Sequence, residues 1–195
     1  MFNRVTADGY FSGVDGSLDW VVPDEEIDSA GAAASAGFDT MLFGRRTYDN
    51  FESFWPHAAD AGNSPTAPAP HAAGRRSGAM RAMATWLNAA TKVVFSRTRQ
   101  DVTWNNSRLL HDFDPREIDA MKKQPGKDMI IFGSGSIVSQ LTQHGLIDEY
   151  QFVISPILLG GGKPLISGLP KSLRLELLDA TKHRTGNVLL RYARA

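Results

Sequence analysis

Apolar positions in this chain follow two rhythms. Short continuous runs occur at Met41-Leu42-Phe43, Val93-Val94-Phe95 and Met129-Ile130-Ile131-Phe132, and each run is followed at once by a small residue. Runs of that length, bounded by polar residues and glycine, predict short strands of a sheet covered on both faces. Between them the spacing becomes helical. Tyr48, Phe51 and Trp55 stand at i, i+3 and i+7, Met80, Met83, Ala84 and Leu87 form a second apolar face, and Ile137, Val138 and Leu141 form a third. The acidic stretch Asp24-Glu25-Glu26 suits the first turn of an alanine-rich helix ending near Gly37. Asp114-Pro115-Arg116-Glu117 reads as an N-cap, a proline at the first helical position and a capping-box glutamate, opening a helix that closes at Pro125-Gly126.

Further strands are expected at Met1 to Ala7, at Ser107 to Leu110 and, half-buried, at Glu149 to Ile154. Leu173 to Ala180 and Val188 to Tyr192 flank Thr185-Gly186-Asn187 and predict a terminal antiparallel hairpin. Alternating βα units first and strands last make this an α/β protein with a mixed, mostly parallel sheet. Three glycines and two aspartates between Asp8 and Gly16 mark a sharply bending loop. From Pro56 to Gly78 the chain turns to Ala, Pro, Gly and Ser without periodicity, which reads as a flexible insertion at 56–78.

Composition narrows the function. The 195 residues suit a single domain, 1–195, and 21 basic residues balance 21 acidic ones, so no bulk attraction to nucleic acid or a membrane surface is expected. Without cysteine there is no thiolate chemistry and no Cys-ligated metal, and the five histidines lack metal-ligand spacing, so no metal is expected. No apolar run approaches the ~20 residues of a membrane span, and the start carries no signal-peptide pattern. The expectation is a soluble cytoplasmic protein.

Candidate chemistry lies in the short stretches directly after the three apolar runs: Gly44-Arg45-Arg46-Thr47, Ser96-Arg97-Thr98 and Gly133-Ser134-Gly135-Ser136. Ligands of open α/β sheets bind outside the carboxyl ends of strands. A loop of tiny residues opening a helix exposes backbone N–H groups at a positive helix end, where a phosphate can sit. Two loops carry arginine and one is Gly-Ser-rich, which points to an elongated, phosphate-bearing ligand.

Taken in order, Val5-Thr6-Ala7-Asp8-Gly9-Tyr10, Asp19-Trp20, Phe43 to Tyr48, Val94 to Thr98, Ile131 to Ser136 and Leu158-Leu159-Gly160-Gly161-Gly162-Lys163 are short stretches spread along nearly the whole chain. In these stretches it resembles the dihydrofolate reductase-like superfamily, and most closely the small stand-alone relatives of the reductase domain of bacterial riboflavin biosynthesis proteins. The resemblance implies a three-layer dihydrofolate reductase-like fold with helices on both faces of the sheet, NADPH as cofactor, and a homodimer. It implies that Gly44, Arg45, Arg46 and Thr47 open a helix on the nucleotide phosphates. Ser96 and Arg97 would lie by the adenosine end, and Gly133, Ser134, Gly135, Ser136 and Ile137 would wrap the pyrophosphate. Trp20, Tyr48 and Lys163 are expected at the substrate. Asp8 and one of Asp24 or Glu25 are expected to contact or protonate it.

The implied activity is hydride transfer to a small pterin- or pyrimidine-like substrate; the alternative is a catalytically silent nucleotide-binding or interaction protein on the same fold. Three departures stand out. Asp24, Glu25 and Glu26 are adjacent where the family places one carboxylate, the N-terminal strand begins several residues later than usual, and these residues hold no counterpart of the deaminase domain that often accompanies the riboflavin enzymes.

Overall fold

The structure, a computed structural model, describes residues 1–58 and 78–195. Nearly all of the expected 56–78 insertion therefore lies outside the described residues. In chain order the strands and helices are β1 (Phe2–Thr6), β2 (Tyr10–Ser12), α1 (Glu25–Ala34), β3 (Phe38–Gly44), α2 (Arg45–Glu52), α3 (Gly78–Ala89), β4 (Thr91–Phe95), β5 (Ser107–Leu110), α4 (Pro115–Lys122), β6 (Asp128–Ile131), α5 (Gly135–Gln143), β7 (Glu149–Ser155), β8 (Lys163–Pro164), β9 (Leu175–Lys182) and β10 (Val188–Arg194). None of the described helices is long and apolar enough to cross a membrane.

The chain divides into two compact units, each built from separate stretches of sequence. One comprises Met1–Val22, Asp114–Met121 and Ile131–Ala195; the other comprises Pro23–Phe113 and Lys122–Ile130. In the second unit a sheet runs in the order β5-β4-β3-β6. β3 lies parallel to β4 with Gly44 opposite Phe95, and β4 parallel to β5 with Phe95 opposite Leu110, so the ends of these strands are level. Met41, Phe43, Val93 and Val94 are essentially excluded from water, as are Ala84 and Leu87 of α3. Each large side chain so buried contributes roughly 1.5–3 kcal/mol.

The apolar face of Tyr48, Phe51 and Trp55 forms, but the helix carrying it is shorter than the spacing predicts. α2 ends at Glu52, and Trp55 opens a separate 3-10 turn. Pro56 fits the break, because it has no N–H to bond the Glu52 carbonyl four residues back and its ring crowds that carbonyl, so the α-helix cannot run through it. The Trp55 ring still meets Phe51, with centroids 6.1 Å apart. β6 differs too: the sequence predicts burial on both faces, yet Met129 and Ile130 are only half-buried and Ile131 alone is fully enclosed. β6 closes one side of its four-stranded sheet.

In the first unit the order is β1-β7-β10-β9, with β1 parallel to β7 and β10 antiparallel to both β7 and β9. The terminal hairpin is therefore present, closed by Gly186 at φ +87°. A two-stranded ribbon pairs β2 with β8, which gives the expected loop after Asp8 a short strand of its own. Asp114 opens α4 as expected, accepting the Arg116 amide at 2.8 Å. The fold is thus mixed α/β, with parallel strands first and an antiparallel hairpin last.

Candidate functional site

In the second unit, β3 runs into α2 without interruption, and Gly44 is the N-cap. Glycine has no side chain to cap the helix, so the first turn of α2 receives no side-chain acceptor from that position. Arg45 and Arg46 are exposed, Thr47 is half-buried and Gly44 is buried. Beside them, β4 ends in a tight turn. The buried Ser96 accepts the amides of Thr98 and Arg99 on its hydroxyl, at 3.3 and 3.0 Å, and leaves Arg97 exposed. Because Gly44 and Phe95 are in register, these two basic turns leave adjacent strands at the same level.

Tyr48 has a different place from the one expected of a substrate contact. Its ring has no exposed surface, and its hydroxyl donates to Glu52 Oε1 at 3.1 Å, accepts the Trp104 amide at 3.3 Å and lies 3.1 Å from the Ser107 hydroxyl. Burial pushes the phenol up from its ordinary value. Asp24 is likewise 2% exposed and acts as the N-cap of α1, accepting the amides of Glu26 and Ile27 at 3.1 Å each. Glu25, next to it, is exposed.

The first unit supplies the Gly-Ser turn. Gly133 and Ser134 both have left-handed backbone, at φ +56° and +60°, which turns the chain from Phe132 into α5. A serine tolerates this poorly, and its hydroxyl is spent locally, donating to the Phe132 carbonyl at 3.0 Å. Gly135 and Ser136 occupy the first two positions of α5, where amides have no acceptor within the helix. A Cβ on Gly135 would lie 2.9 Å from the Leu165 carbonyl oxygen, so only glycine fits. Ser136 is exposed, whereas the Ile137 side chain is buried in the core, so Ile137 can offer a ligand only its backbone.

Asp8 is committed to structure as well. It accepts the Thr6 hydroxyl at 2.6 Å and the amides of Leu159 and Gly160 at 3.0 and 2.8 Å, tying the loop after β7 to the one after β1. The Thr6 hydroxyl is the main influence holding its carboxyl below the usual range; the two amides add to that and partial burial opposes it. Trp20 is 7% exposed, and its buried indole Nε1 has no hydrogen-bond partner among the described residues. Two residues on, the Val22 carbonyl accepts from Arg4 Nη1 at 3.3 Å and from Asn187 Nδ2 at 3.2 Å. Lys163 sits half-buried in β8, paired with Ser12.

Sequence reasoning passed over three residues that organise these surfaces. Arg99 lies two positions beyond Arg97 and pairs with α2. Lys92, wholly buried, donates to the Leu87 and Ala90 carbonyls at 2.6 and 2.7 Å. Asn187, wholly buried, accepts from Ser155 Oγ at 3.0 Å. The second arginine of Ser-Arg-Thr-Arg was a visible signal, while a lysine inside an apolar strand and an asparagine in a turn look ordinary.

The RibD C-terminal domain model matches residues 1–189. Bacillus subtilis (strain 168) YyaP is 27% identical over 188 residues, covering 96% of this chain and 90% of that protein. Among solved structures, a Shewanella sp. PV-4 protein whose name places it provisionally in riboflavin biosynthesis superposes with a TM-score of 0.72, at 24% identity over 100% of this chain and 97% of that one. The Thermotoga maritima diaminohydroxyphosphoribosylaminopyrimidine deaminase/5-amino-6-(5-phosphoribosylamino)uracil reductase matches with a TM-score of 0.62 and 12% identity, over 99% of this chain and 55% of that one. The fold is that of riboflavin-biosynthesis-reductase-like proteins.

Proposed function

The chain belongs to the family of RibD C-terminal domains, and we propose that it is a reductase that takes NADPH and passes hydride to a small conjugated heterocycle of pterin or pyrimidine type. The observation that carries this reading is the turn at Gly133 and Ser134, two consecutive left-handed residues ahead of the first amides of α5. Its residue set fits a pyrophosphate: there is no side chain at Gly133, and the first amides of α5 have no acceptor within the helix at its positive end. Within the second unit, Gly44, Arg45, Arg46, Thr47, Ser96 and Arg97 form by themselves a basic surface suited to a phosphate and a ribose. The exposed arginines suit a 2′-phosphate, which guanidinium groups bind bidentately. When bound, NADPH would supply the hydride from its nicotinamide. The protein's own tasks are to orient the substrate and hold its charge.

Trp20 supports a substrate role, since a buried indole N–H without a partner is satisfied by a carbonyl or ring nitrogen of a ligand. Lys163 would offer positive charge. The reductase named in the Thermotoga maritima protein supports the pyrimidine end of the substrate class. A cytoplasmic location goes with this reading.

A second reading, a nucleotide-binding protein without turnover, is favoured by one observation. Asp8 and Asp24 both hold backbone amides, and Asp8 stays ionised well below neutrality, which unfits it as a proton donor. Glu25 is then the carboxylate available for that task. NADPH titration and then an oxidation assay against pterins and pyrimidines separate the two: binding with turnover supports the reductase, and binding alone the second reading.

A homodimer forms part of the proposal. β9 is exposed from Glu176 to Lys182, with Leu177 54% and Leu178 50% exposed, which suits pairing with a second copy. Sedimentation at micromolar concentration should show twice the chain mass; a monomer would remove the claim.

A further inference from the structure

We propose that Arg99 is a positioning residue that fixes the Ser96–Arg97 turn to α2 and thereby sets a preference for NADPH over NADH. The inference rests on the cofactor reading above and adds a residue that the reading does not use.

Arg99 points back across α2. Its Nη1 reaches Asp49 Oδ1 at 2.6 Å and its Nη2 reaches Glu52 Oε2 at 2.9 Å, while Nε donates to the Asp101 carbonyl at 3.0 Å. The guanidinium also stacks over the Tyr48 ring, 4.8 Å from its centroid. Side-chain exposure is 19% for both Arg99 and Glu52, so the contact is largely shielded from water and stronger than an ordinary surface pair.

The anchor is rigid because Glu52 is itself held. Its Oε1 accepts from the Thr103 hydroxyl at 2.7 Å, the Thr103 and Trp104 amides at 3.2 Å each, and the Tyr48 hydroxyl at 3.1 Å. Burial works to raise the Glu52 carboxyl, yet these bonds and Arg99 together keep it below its usual range. On the other side, the Arg99 amide closes the turn on Ser96 Oγ. The helix that receives Arg99 begins at Arg45. One side chain therefore ties the turn bearing Arg97 to the helix bearing Arg45 and Arg46.

Removing Arg99 has two consequences for a 2′-phosphate and little for NADH. The turn loses its tether, so the two basic loops no longer hold a fixed spacing. Asp49 and Glu52 lose their countercharge, leaving carboxylates that repel a phosphate or capture Arg97. Arg99→Lys keeps a charge but not the fork that spans both acids.

The test is calorimetric titration of NADPH and NADH into wild type, Arg99→Ala, Arg99→Lys, Arg97→Ala and the Arg97→Ala/Arg99→Ala double variant, each verified as folded by circular dichroism. Arg99→Ala should weaken NADPH roughly tenfold and NADH less than about threefold, and it should add less than about threefold on top of Arg97→Ala. Arg99→Lys should restore the melting temperature but lose part of the NADPH preference. Equal losses for both cofactors, no loss in folded Arg99→Ala, or a full loss persisting without Arg97 would each overturn the proposal. Should Arg99→Ala fail to fold, an unchanged preference in Arg99→Lys overturns it. A wild type that binds neither cofactor overturns the cofactor reading and this inference with it; a wild type that prefers NADPH alongside unaltered variants overturns this inference alone.

Discussion

Lys92 gives the second unit a pH dependence that can be worked out from its surroundings. Its side chain is wholly buried in β4, its ammonium caps the last carbonyls around the end of α3, and it lies 4.5 Å from the Trp104 ring centroid. Burial pushes the amine down to about 8 from an ordinary 10.5. Below pH 8 both folded and unfolded chains carry the proton, so the folded state bears the whole cost of burying a charge. Between pH 8 and 10.5 only the unfolded chain remains protonated, and stability rises with pH as that cost is shed. Above 10.5 the gain is complete, at about 3 kcal/mol. Lys92→Met keeps the length of the side chain and abolishes the titration. It also leaves the Leu87 and Ala90 carbonyls without this donor, a loss of about 1–3 kcal/mol that offsets much of the relief at pH 7. Urea unfolding of both proteins from pH 7 to 10.5 isolates the effect, since every other group titrates alike in the two. The wild type should gain stability relative to Lys92→Met by about 3 kcal/mol across that range. Parallel curves would refute the reasoning.

Three further outcomes are expected. Gly135→Ala should lower stability by about 1–3 kcal/mol, because its Cβ meets the Leu165 carbonyl oxygen; an unmoved urea midpoint would show that the turn relaxes freely. Asp8→Ala should speed hydrogen exchange at the Leu159 and Gly160 amides by roughly tenfold, since each loses its acceptor, and unchanged exchange would mean the loop is held elsewhere. Arg45→Ala combined with Arg97→Ala should weaken NADPH at least about tenfold and NADH far less; equal losses would assign these arginines to the shared pyrophosphate or to the fold.

Much of the fold was legible because local signals agreed. Apolar runs ending in Phe43 and Phe95 became paired parallel strands, and Asp114-Pro115 opened α4. The Gly-Asn turn joined β9 to β10. What the sequence concealed was tertiary choice. Tyr48 lies on an apolar helix face, which is more often core than ligand contact, and its bonds with Glu52, Ser107 and Trp104 show it held in the core. Arg97 and Arg99 are the same residue type two positions apart, yet one faces water and the other pairs with Asp49 and Glu52. Asp8 and Asp24 look like candidate acids, but Asp24 is a local N-cap of α1, as the acidic first turn suggested, and Asp8 holds amides of Leu159 and Gly160 that only the folded loops bring to it. No pattern of spacing reports such partners.

The most direct test of the proposed function is NADPH binding by the purified protein, titrated beside NADH under identical salt, and then NADPH oxidation with a panel of pterins and pyrimidines. The expected result is saturable NADPH binding, tighter than NADH, with oxidation on at least one member of the panel. A folded protein that binds neither nucleotide would contradict it.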